Sequence, residues 1–285
     1  MRKILITGSS GQIGRELTQI LTSRDFELIT ANRSQLDVSD DFQVQNMILE
    51  HRPDWVINCA AYTNLDLAET HVAESNKINS CGPSLLAQAC RLARSNLLHF
   101  STDAVFSSNN LKFFSSTEST NPLSQYGKSK AMGEKLLLNN YTKNVWIIRS
   151  SWLYGIYGGR FVHKILESIR NRQSIQVVDD QFGQPTYTKN FGLHVKDFIL
   201  DPPESGLYHF TDSGYTSRFN FAKHILLYLG IKDYDIVSKS TNLNNELAIR
   251  PKYSLLSLDN HSVKAGTTFT PWQESLNQFL KIQKI

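Results

Sequence analysis

Three glycines near the start of the chain constrain its fold more than any other feature. The β-branched run 3–6 is followed at once by Gly8, Gly11 and Gly14, and a helical pattern of apolar residues begins at Ile13. A strand that turns through such a loop into a helix brings backbone close to a phosphate, and the helix amino terminus favours its negative charge. The spacing G-x-x-G-x-x-G departs from the usual G-x-G-x-x-G fingerprint. In this setting it predicts a dinucleotide site, with a plain turn as the alternative.

The second predicted strand, 26–31, indicates which dinucleotide binds. An NAD enzyme usually has an acidic side chain at its end, but here Asn32 and Arg33 follow and the first carboxylate is Asp37. Arg33 can pair with a 2′-phosphate, so NADP(H) is preferred. NAD(H) and a solvated loop arginine stay the alternatives. The cofactor-binding residues predicted from these two loops are Gly8, Ser10, Gly11, Gln12, Ile13, Asn32 and Arg33.

A second feature places reactive side chains at a strand end. The apolar run 97–100 predicts a buried parallel strand, and Thr102 and Asp103 follow it. Tyr126 and Lys130 are four residues apart on a predicted helix and therefore share one face. Tyr-x-x-x-Lys alone also occurs on surface helices. Together with the glycine loop and the strand end, it predicts that Thr102, Tyr126 and Lys130 are catalytic.

These three side chains suit proton transfer to a carbonyl. A phenol has a pKa of about 10, and we expect the Lys130 ammonium to lower the pKa of Tyr126; a value near 7 would represent about 4 kcal/mol. Tyr126 would donate a proton to the carbonyl oxygen while a hydride reaches the carbon. Thr102 would hold that oxygen, and Lys130 would also hold the nicotinamide ribose. For Asp103, capping of local backbone N–H groups and a part in the site are equally open.

Strands and helices alternate from residue 1 to about 150, which predicts an α/β fold with a Rossmann-type, doubly wound parallel sheet. We predict a dinucleotide-binding domain over 1–150 and a smaller C-terminal α/β substrate lobe over 151–285. Part of the segment near 180–200 could return to the first domain. The polar segment 107–122 is a candidate flap beside the site.

The amino-acid composition limits which partners the chain can bind and in which compartment we expect it. The 285-residue chain has a formal net charge of +4 with scattered Lys and Arg, which argues against nucleic-acid binding but not against small anions. No apolar run reaches the ~18 residues that a membrane helix needs. Cys59, Cys81 and Cys90 are odd in number and lie in apolar segments. We therefore predict buried free thiols in a reducing compartment, the cytoplasm.

Taken together, these motifs resemble a known family. The chain is similar to the extended short-chain dehydrogenase/reductases and, within them, to the dTDP-4-dehydrorhamnose reductases. The most family-specific stretch is Asp-Asp-Gln-Phe-Gly-x-Pro-Thr at 179–186, and the least specific is the glycine loop. The other shared stretches are 58–63, 66–69, 101–106, 126–130, 149–154, 206–209 and 250–251.

The resemblance implies reduction of dTDP-4-dehydro-β-L-rhamnose to dTDP-β-L-rhamnose, a precursor of surface polysaccharide, by a Rossmann domain with a smaller sugar-nucleotide domain. It implies that Thr102, Tyr126 and Lys130 form the catalytic triad and that Trp152 lies against the deoxysugar. Further expected substrate contacts are Thr63 and Asp103. Further expected cofactor contacts are Asp37 and Val38 near the adenine, with Ala60, Ala61 and Tyr62.

Two properties of the family stay open for this chain. Some members bind Mg2+ at a dimer contact through glutamates, and Glu16 aligns with one of them, but a single carboxylate does not make a site. A metal requirement and a homodimer are therefore not predicted either way.

The chain departs from the family pattern beside the expected substrate. Ala104 stands where an aromatic residue is usual, and Arg218 stands where a Trp is common. These positions border the substrate and not the hydride path, so the nucleotide and the sugar stay open. Two alternatives also remain: a nucleotide-sugar epimerase or dehydratase that retains its cofactor, and a non-catalytic regulatory subunit of the same fold.

Overall fold

Strands and helices alternate through residues 1–141, 143–241, 247–258 and 268–283, which the computed structural model describes. The strands are β1 (Arg2–Thr7), β2 (Phe26–Ala31), β3 (Trp55–Asn58), β4 (Asn96–Thr102), β5 (Phe113–Phe114), β6 (Val145–Ser150), β7 (Leu153–Tyr154), β8 (Ile175–Val178), β9 (Phe182–Gly183), β10 (Thr186–Tyr187), β11 (Gly206–His209), β12 (Thr216–Ser217), β13 (Ile236–Lys239) and β14 (Leu255–Leu256). The α-helices are α1 (Gln12–Leu21), α2 (Asp41–His51), α3 (Leu65–Thr70), α4 (Val72–Asn76), α5 (Gly82–Ala93), α6 (Gln125–Asn140), α7 (Arg160–Arg170), α8 (Thr188–Leu200), α9 (Arg218–Tyr228) and α10 (Trp272–Lys281). A π-helical turn, Lys77–Cys81, joins α4 to α5.

A six-stranded parallel sheet forms the centre, in the order β2–β1–β3–β4–β6–β11. The predicted doubly wound fold is thus confirmed. Strand order reverses between β1 and β3. At such a reversal the connections leave in opposite directions and open a crevice at the carboxyl ends of the two strands.

Both faces of the sheet are covered, which explains the uninterrupted apolar runs of its strands. In β1, Ile4 and Ile6 pack with residues of α1 and α8, whereas Leu5 packs with residues of α2 and α5 on the opposite face. All three side chains are fully buried. Each buried aliphatic side chain of this kind stabilises the fold by about 1.5–3 kcal/mol.

The chain after residue 150 contributes to two places. Helix α8 packs on α1, and β11 completes the edge of the central sheet. In contrast, α7, α9 and α10 surround a separate apolar cluster that includes Tyr154, Tyr187 and Phe221. No helix in the described ranges is both long and apolar enough to cross a bilayer.

The cysteines are free thiols, but their burial is not uniform. Cys90 is buried and Cys59 is partly exposed. The prediction of burial is wrong for Cys81, which is exposed. The reason is the π turn, whose inner side is taken by Ile78 and Asn79.

A buried carboxylate lies beside the third cluster. Asp212 is 1% exposed and accepts hydrogen bonds from the Tyr187 N–H (3.0 Å) and from the Ser275 hydroxyl. Burial outweighs both bonds and raises the pKa of Asp212 to about 7. Since the unfolded carboxyl has a pKa of about 4, folding favours its protonated form. The resulting stabilisation is complete below about pH 4 and is lost as the pH rises through about 7.

We therefore expect Asp212→Asn, which keeps the shape and removes the ionisation, to stabilise the protein at alkaline pH only. At pH 8 the free energy of unfolding should rise by roughly 1–2 kcal/mol, and at pH 4 it should hardly rise. Thermal unfolding at both pH values measures this. The exposed Asp233→Asn is the control. An equal effect of Asp212→Asn at the two pH values would contradict the account.

Candidate active site

A cavity of about 200 Å3 lies where the sheet order reverses. We call it the switch-point cavity. Its lining includes nine of the predicted cofactor-binding residues: Gly8, Ser10, Gly11, Arg33, Asp37, Val38, Ala60, Ala61 and Tyr62. Leu36, Cys59 and Ile78 complete it.

The glycine loop is built for close backbone approach. Gly8 has a φ of +60°, and a Cβ there would lie 2.6 Å from the Ala60 nitrogen. A Cβ on Gly14 would lie 2.4 Å from the Gly8 carbonyl oxygen. Helix α1 follows Gly11, and no described side chain caps it or places an acid in its first turn. Its first N–H groups can therefore hold a phosphate.

Arg33 and Asp37 line the same cavity, but they differ in how firmly their side chains are held. The Arg33 side chain is 71% exposed and pairs with Glu74 at 3.1 Å. Asp37 accepts hydrogen bonds from the N–H and hydroxyl of Ser39, and the hydroxyl bond is the main cause that lowers the pKa of Asp37. Arg33 is thus a solvent-exposed cation, and Asp37 is an anion held in place by Ser39.

The side chains of three predicted cofactor-binding residues do not line the switch-point cavity. The Asn32 side-chain oxygen accepts hydrogen bonds from the Ser34 N–H (2.9 Å) and the Gln35 N–H (3.3 Å), so it stabilises its own turn. Ile13 packs against the core on one face of the sheet. Gln12 lines a different cavity, described below.

The loop 60–62 is held by a residue that the sequence did not mark as functional. Asn79, in the π turn, accepts from the Tyr62 N–H at 2.8 Å and donates to the Tyr62 carbonyl at 3.0 Å. This two-way bond fixes one wall of the switch-point cavity. The only signal in the sequence is a polar residue within an otherwise apolar helical pattern.

A second cavity, of about 250 Å3, lies at the end of β4, and we call it the strand-end cavity. It is lined by Thr102, Asp103, Tyr126 and Trp152, which the sequence assigned to catalysis or substrate. The Tyr126 phenol is hydrogen-bonded to Thr102. Two of the three predicted catalytic groups thus meet at this cavity.

The pKa of Tyr126 shifts in the direction opposite to the prediction. Burial and, to a smaller extent, the Asp103 carboxyl raise the pKa of Tyr126 to about 12, while the hydrogen bond between Tyr126 and Thr102 opposes the shift. Lys130 is not among the causes, because its nitrogen contacts His99 and donates to the Phe100 carbonyl. Tyr126 is therefore protonated at neutral pH, the form that can donate a proton.

Lys130 is 2% exposed and lies behind the cavities. Burial lowers its pKa to about 8, against the opposing effect of Glu134 one turn further along α6. The lysine can thus change its protonation state close to neutral pH.

Asp103 is bound by hydroxyl groups. It accepts hydrogen bonds from Thr102 (3.1 Å), Ser151 (2.9 Å) and Ser254 (2.6 Å), and burial raises its pKa. The local N–H group at Ala104 is capped by the Thr102 hydroxyl instead. The capping alternative for Asp103 therefore does not match these contacts; the residue ties β4 to the segments at 151 and 254.

A third cavity, of about 440 Å3, adjoins the strand-end cavity, and we call it the arginine cavity. Three arginines line it: Arg160, Arg218 and Arg250. Gln12 and two residues predicted to contact substrate, Thr63 and Trp152, also line it. Guanidinium groups bind phosphate through paired N–H bonds. The cavity is therefore suited to an anionic ligand.

Trp152 and Arg218 form the boundary between these two cavities. Trp152 has a φ of +43°, and the Arg218 guanidinium lies 3.5 Å from the centre of its ring. A left-handed tryptophan is strained, and such strain is common where a side chain is held for a function. Arg160 and Arg250 line the arginine cavity, but the sequence analysis did not assign them to the site. The sequence signal for Arg250 was its position in a stretch shared with the family.

The part of the chain that the structure describes gives no support for a metal site at Glu16. The Glu16 carboxylate accepts a hydrogen bond from the Thr188 hydroxyl at 2.8 Å within this chain. Among the described residues, no group of three or more His, Cys, Asp or Glu side chains could hold a metal ion.

Comparison with known proteins gives consistent matches along the whole chain. The family described as the RmlD substrate binding domain matches residues 1–285. The chain is 34% identical over 283 residues to the spore coat polysaccharide biosynthesis protein SpsK of Bacillus subtilis, with coverage of 99% of this chain and 98% of that protein. It is 34% identical over 287 residues to a dTDP-4-dehydrorhamnose reductase of Aggregatibacter actinomycetemcomitans, with 97% of each covered. A crystal structure of dTDP-4-dehydrorhamnose reductase from Bacillus anthracis in complex with NADP is similar with a TM-score of 0.94, 32% identity and 99% of both chains covered.

The close approach at Gly8 gives a testable prediction. Gly8→Ala and Gly230→Ala both place a Cβ at positive φ, but nothing lies within 4 Å of a Cβ at Gly230. Gly230→Ala should lower the free energy of unfolding by about 1 kcal/mol. Gly8→Ala should lower it by about 1–3 kcal/mol more, because Ala60 must move, and it should weaken dinucleotide binding. Chemical denaturation and dinucleotide titration measure both effects; equal losses for the two variants would contradict the geometry.

Proposed function

Because the chain belongs to the RmlD substrate binding domain family, we propose that it is an NADPH-dependent reductase of a 4-keto nucleotide-linked deoxysugar. The proposed reaction converts dTDP-4-dehydro-β-L-rhamnose to dTDP-β-L-rhamnose. The observation that carries it is the hydrogen-bonded Thr102–Tyr126 pair facing the strand-end cavity, with Lys130 one turn along the same helix. The relatives named as dTDP-4-dehydrorhamnose reductases support the substrate.

The switch-point cavity fits a dinucleotide. Its glycine loop has no room for side chains at Gly8 and Gly14, and the α1 N–H groups can hold the pyrophosphate. Arg33 lines the same cavity and can pair with a 2′-phosphate. The exposed Arg33–Glu74 pair is weak and can exchange partners. When bound, NADPH supplies the hydride of the reaction.

We propose that the side chains supply the proton and the positioning. Thr102 and Tyr126 hold the carbonyl oxygen by hydrogen bonds, which orients its carbon toward the hydride donor. Tyr126, protonated at neutral pH, transfers its proton to that oxygen as the alkoxide forms. Hydride and proton together complete the reduction of the ketone to an alcohol.

We propose that the arginine cavity receives the rest of the substrate. It shares Trp152, Arg218 and Arg250 with the strand-end cavity, so one ligand can extend through both. The arginines suit the diphosphate, and Trp152 provides an apolar surface for the deoxysugar, whose 6-methyl group is apolar. Thr63 borders the same space.

We propose a dinucleotide domain over 1–150 and a substrate lobe over 151–285, supported by the separate apolar cluster around Phe221. Helix α8 and β11 pack with the first domain. The exposed free thiol of Cys81 supports a reducing compartment, and we propose the cytoplasm.

Replacing the acid should stop turnover and leave the cofactor in place. Tyr126→Phe should lower kcat by at least about 100-fold, because it removes the proposed proton donor, while the Kd of NADPH changes less than about twofold. NADPH oxidation with dTDP-4-dehydrorhamnose generated in situ, beside other 4-keto sugars, measures this. Tyr228→Phe, on the exposed side of α9, is the control. Retention of most activity by Tyr126→Phe would make the assignment wrong, and tightly retained NAD+ with no net NADPH consumption would indicate an epimerase or dehydratase.

Cofactor choice should depend on Arg33. Removing a charge-assisted phosphate contact in Arg33→Ala should raise the Kd of NADPH by about tenfold or more, while the Kd of NADH changes little. Titration with both dinucleotides measures the ratio, and the exposed Arg24→Ala serves as the matched charge control. An equal loss for NADPH and NADH would show that Arg33 does not contact the 2′-phosphate.

A further inference from the structure

A row of buried hydrogen-bonding side chains crosses the sheet to Lys130. Thr7, Asn58 and His99 stand opposite one another on β1, β3 and β4, and all three are 0% exposed. The Thr7 hydroxyl lies 2.8 Å from Asn58 Oδ1, and Asn58 Nδ2 lies 3.0 Å from His99 Nδ1. His99 Nε2 lies 3.3 Å from Lys130 Nζ.

One backbone group determines the direction of every hydrogen bond in this row. The Ala60 N–H, which can only donate, lies 3.1 Å from Asn58 Oδ1, so the amide oxygen faces Ala60 and Thr7. Asn58 Nδ2, which also only donates, then faces the ring, and His99 Nδ1 must accept. The neutral ring therefore carries its proton on Nε2, toward Lys130.

This tautomer opposes a charged lysine. An ammonium has donors only, so the His99 Nε2–H and the ammonium would face each other donor to donor at 3.3 Å. A neutral amine accepts from His99 and donates to the Phe100 carbonyl, which satisfies all the partners. We infer that His99, held by Asn58 as an Nε2–H donor, is a positioning residue that favours the neutral form of Lys130. The catalytic meaning of this inference rests on the proposed function, but the tautomer does not.

The other ionisable groups around Lys130 do not account for the effect that we assign to His99. Glu134 and Tyr126 lie on the same helix, and Glu134 is paired with Arg149 of β6 at 2.6 Å. Glu134 favours the ammonium, whereas burial disfavours it and lowers the Lys130 pKa. His99 is uncharged, since burial holds its pKa well below the usual value. His99 thus acts on Lys130 through the direction of a hydrogen bond, not through charge.

The tautomer is measured directly on the ligand-free protein. Long-range 1H–15N NMR of histidine-labelled protein should show that His99 is unprotonated at Nδ1 and protonated at Nε2. The chain has eight histidines, and the His99 signals are identified as those that disappear in His99→Phe. Asn58→Asp offers a carboxylate that accepts from both Ala60 and the ring, so it should move the proton to Nδ1. A wild-type ring protonated on Nδ1, or on both nitrogens, would overturn the inference, even if the Asn58 variant does not fold.

The effect on Lys130 is measured by titrating its 13Cε signal, again without substrate. His99→Phe keeps a ring and removes the donor, so the Lys130 midpoint should rise by about one pH unit, a tenfold change in the ammonium-to-amine ratio. His99→Gln, whose amide can donate, should keep the midpoint within about half that shift. Unchanged midpoints in both variants would mean that His99 only fills space, and the inference would be wrong.

The catalytic consequence is tested separately from the proposed function. In the wild type the pH profile of kcat should have an inflection at the pH of the Lys130 midpoint. His99→Phe should move this inflection to higher pH by the same number of pH units as it moves the Lys130 midpoint in the NMR titration. A uniform loss of kcat at every pH would indicate a structural role and contradict the inference. If no 4-keto nucleotide sugar is reduced, the proposed function fails while the two NMR results still decide the tautomer.

Discussion

Parallel, in-register pairing of β1, β3 and β4 is the constraint on which the rest of the structure depends. It brings the residues that end these strands side by side, so Thr7, Asn58 and His99 form one row and the loops after them meet. The glycine loop, the 60–62 loop and Thr102 all lie at the carboxyl ends of these strands. A shift of one residue in any pairing would turn these side chains toward the opposite face of the sheet.

The edge is supported by polar groups that are buried but satisfied. Arg149 makes two bonds to Glu134, and the Ser101 hydroxyl donates to the same carboxylate. Removing Arg149 or Glu134 would leave the other charge buried and unpaired, which typically costs about 3–5 kcal/mol. This network fixes α6 against β4 and β6, and α6 carries Tyr126 and Lys130. Site geometry and stability are therefore coupled in this part of the molecule.

Burial, more than neighbouring charge, sets the ionisation of the site. It raises the pKa of Tyr126 and lowers that of Lys130, so in each group it shifts the equilibrium toward the neutral form. A neutral phenol is the form that a reductase needs in order to donate a proton. The sequence suggested a phenol made acidic by an adjacent ammonium, but side-chain direction decides whether two residues one turn apart interact. Here Lys130 points to the end of β4 and not to the phenol.

The sequence by itself determined the strand–loop–helix start, the alternation of strands and helices, and the set of residues at the carboxyl ends of the strands. These are properties of local periodicity and of glycine positions, which require no knowledge of distant contacts. Only the tertiary structure decided that Asp103 is held by hydroxyls from distant segments and that Asn79 holds Tyr62. It also placed Arg160, Arg218 and Arg250 around one cavity. Contacts between residues far apart in the chain, and the desolvation they impose, depend on how the elements pack, and no local pattern records them.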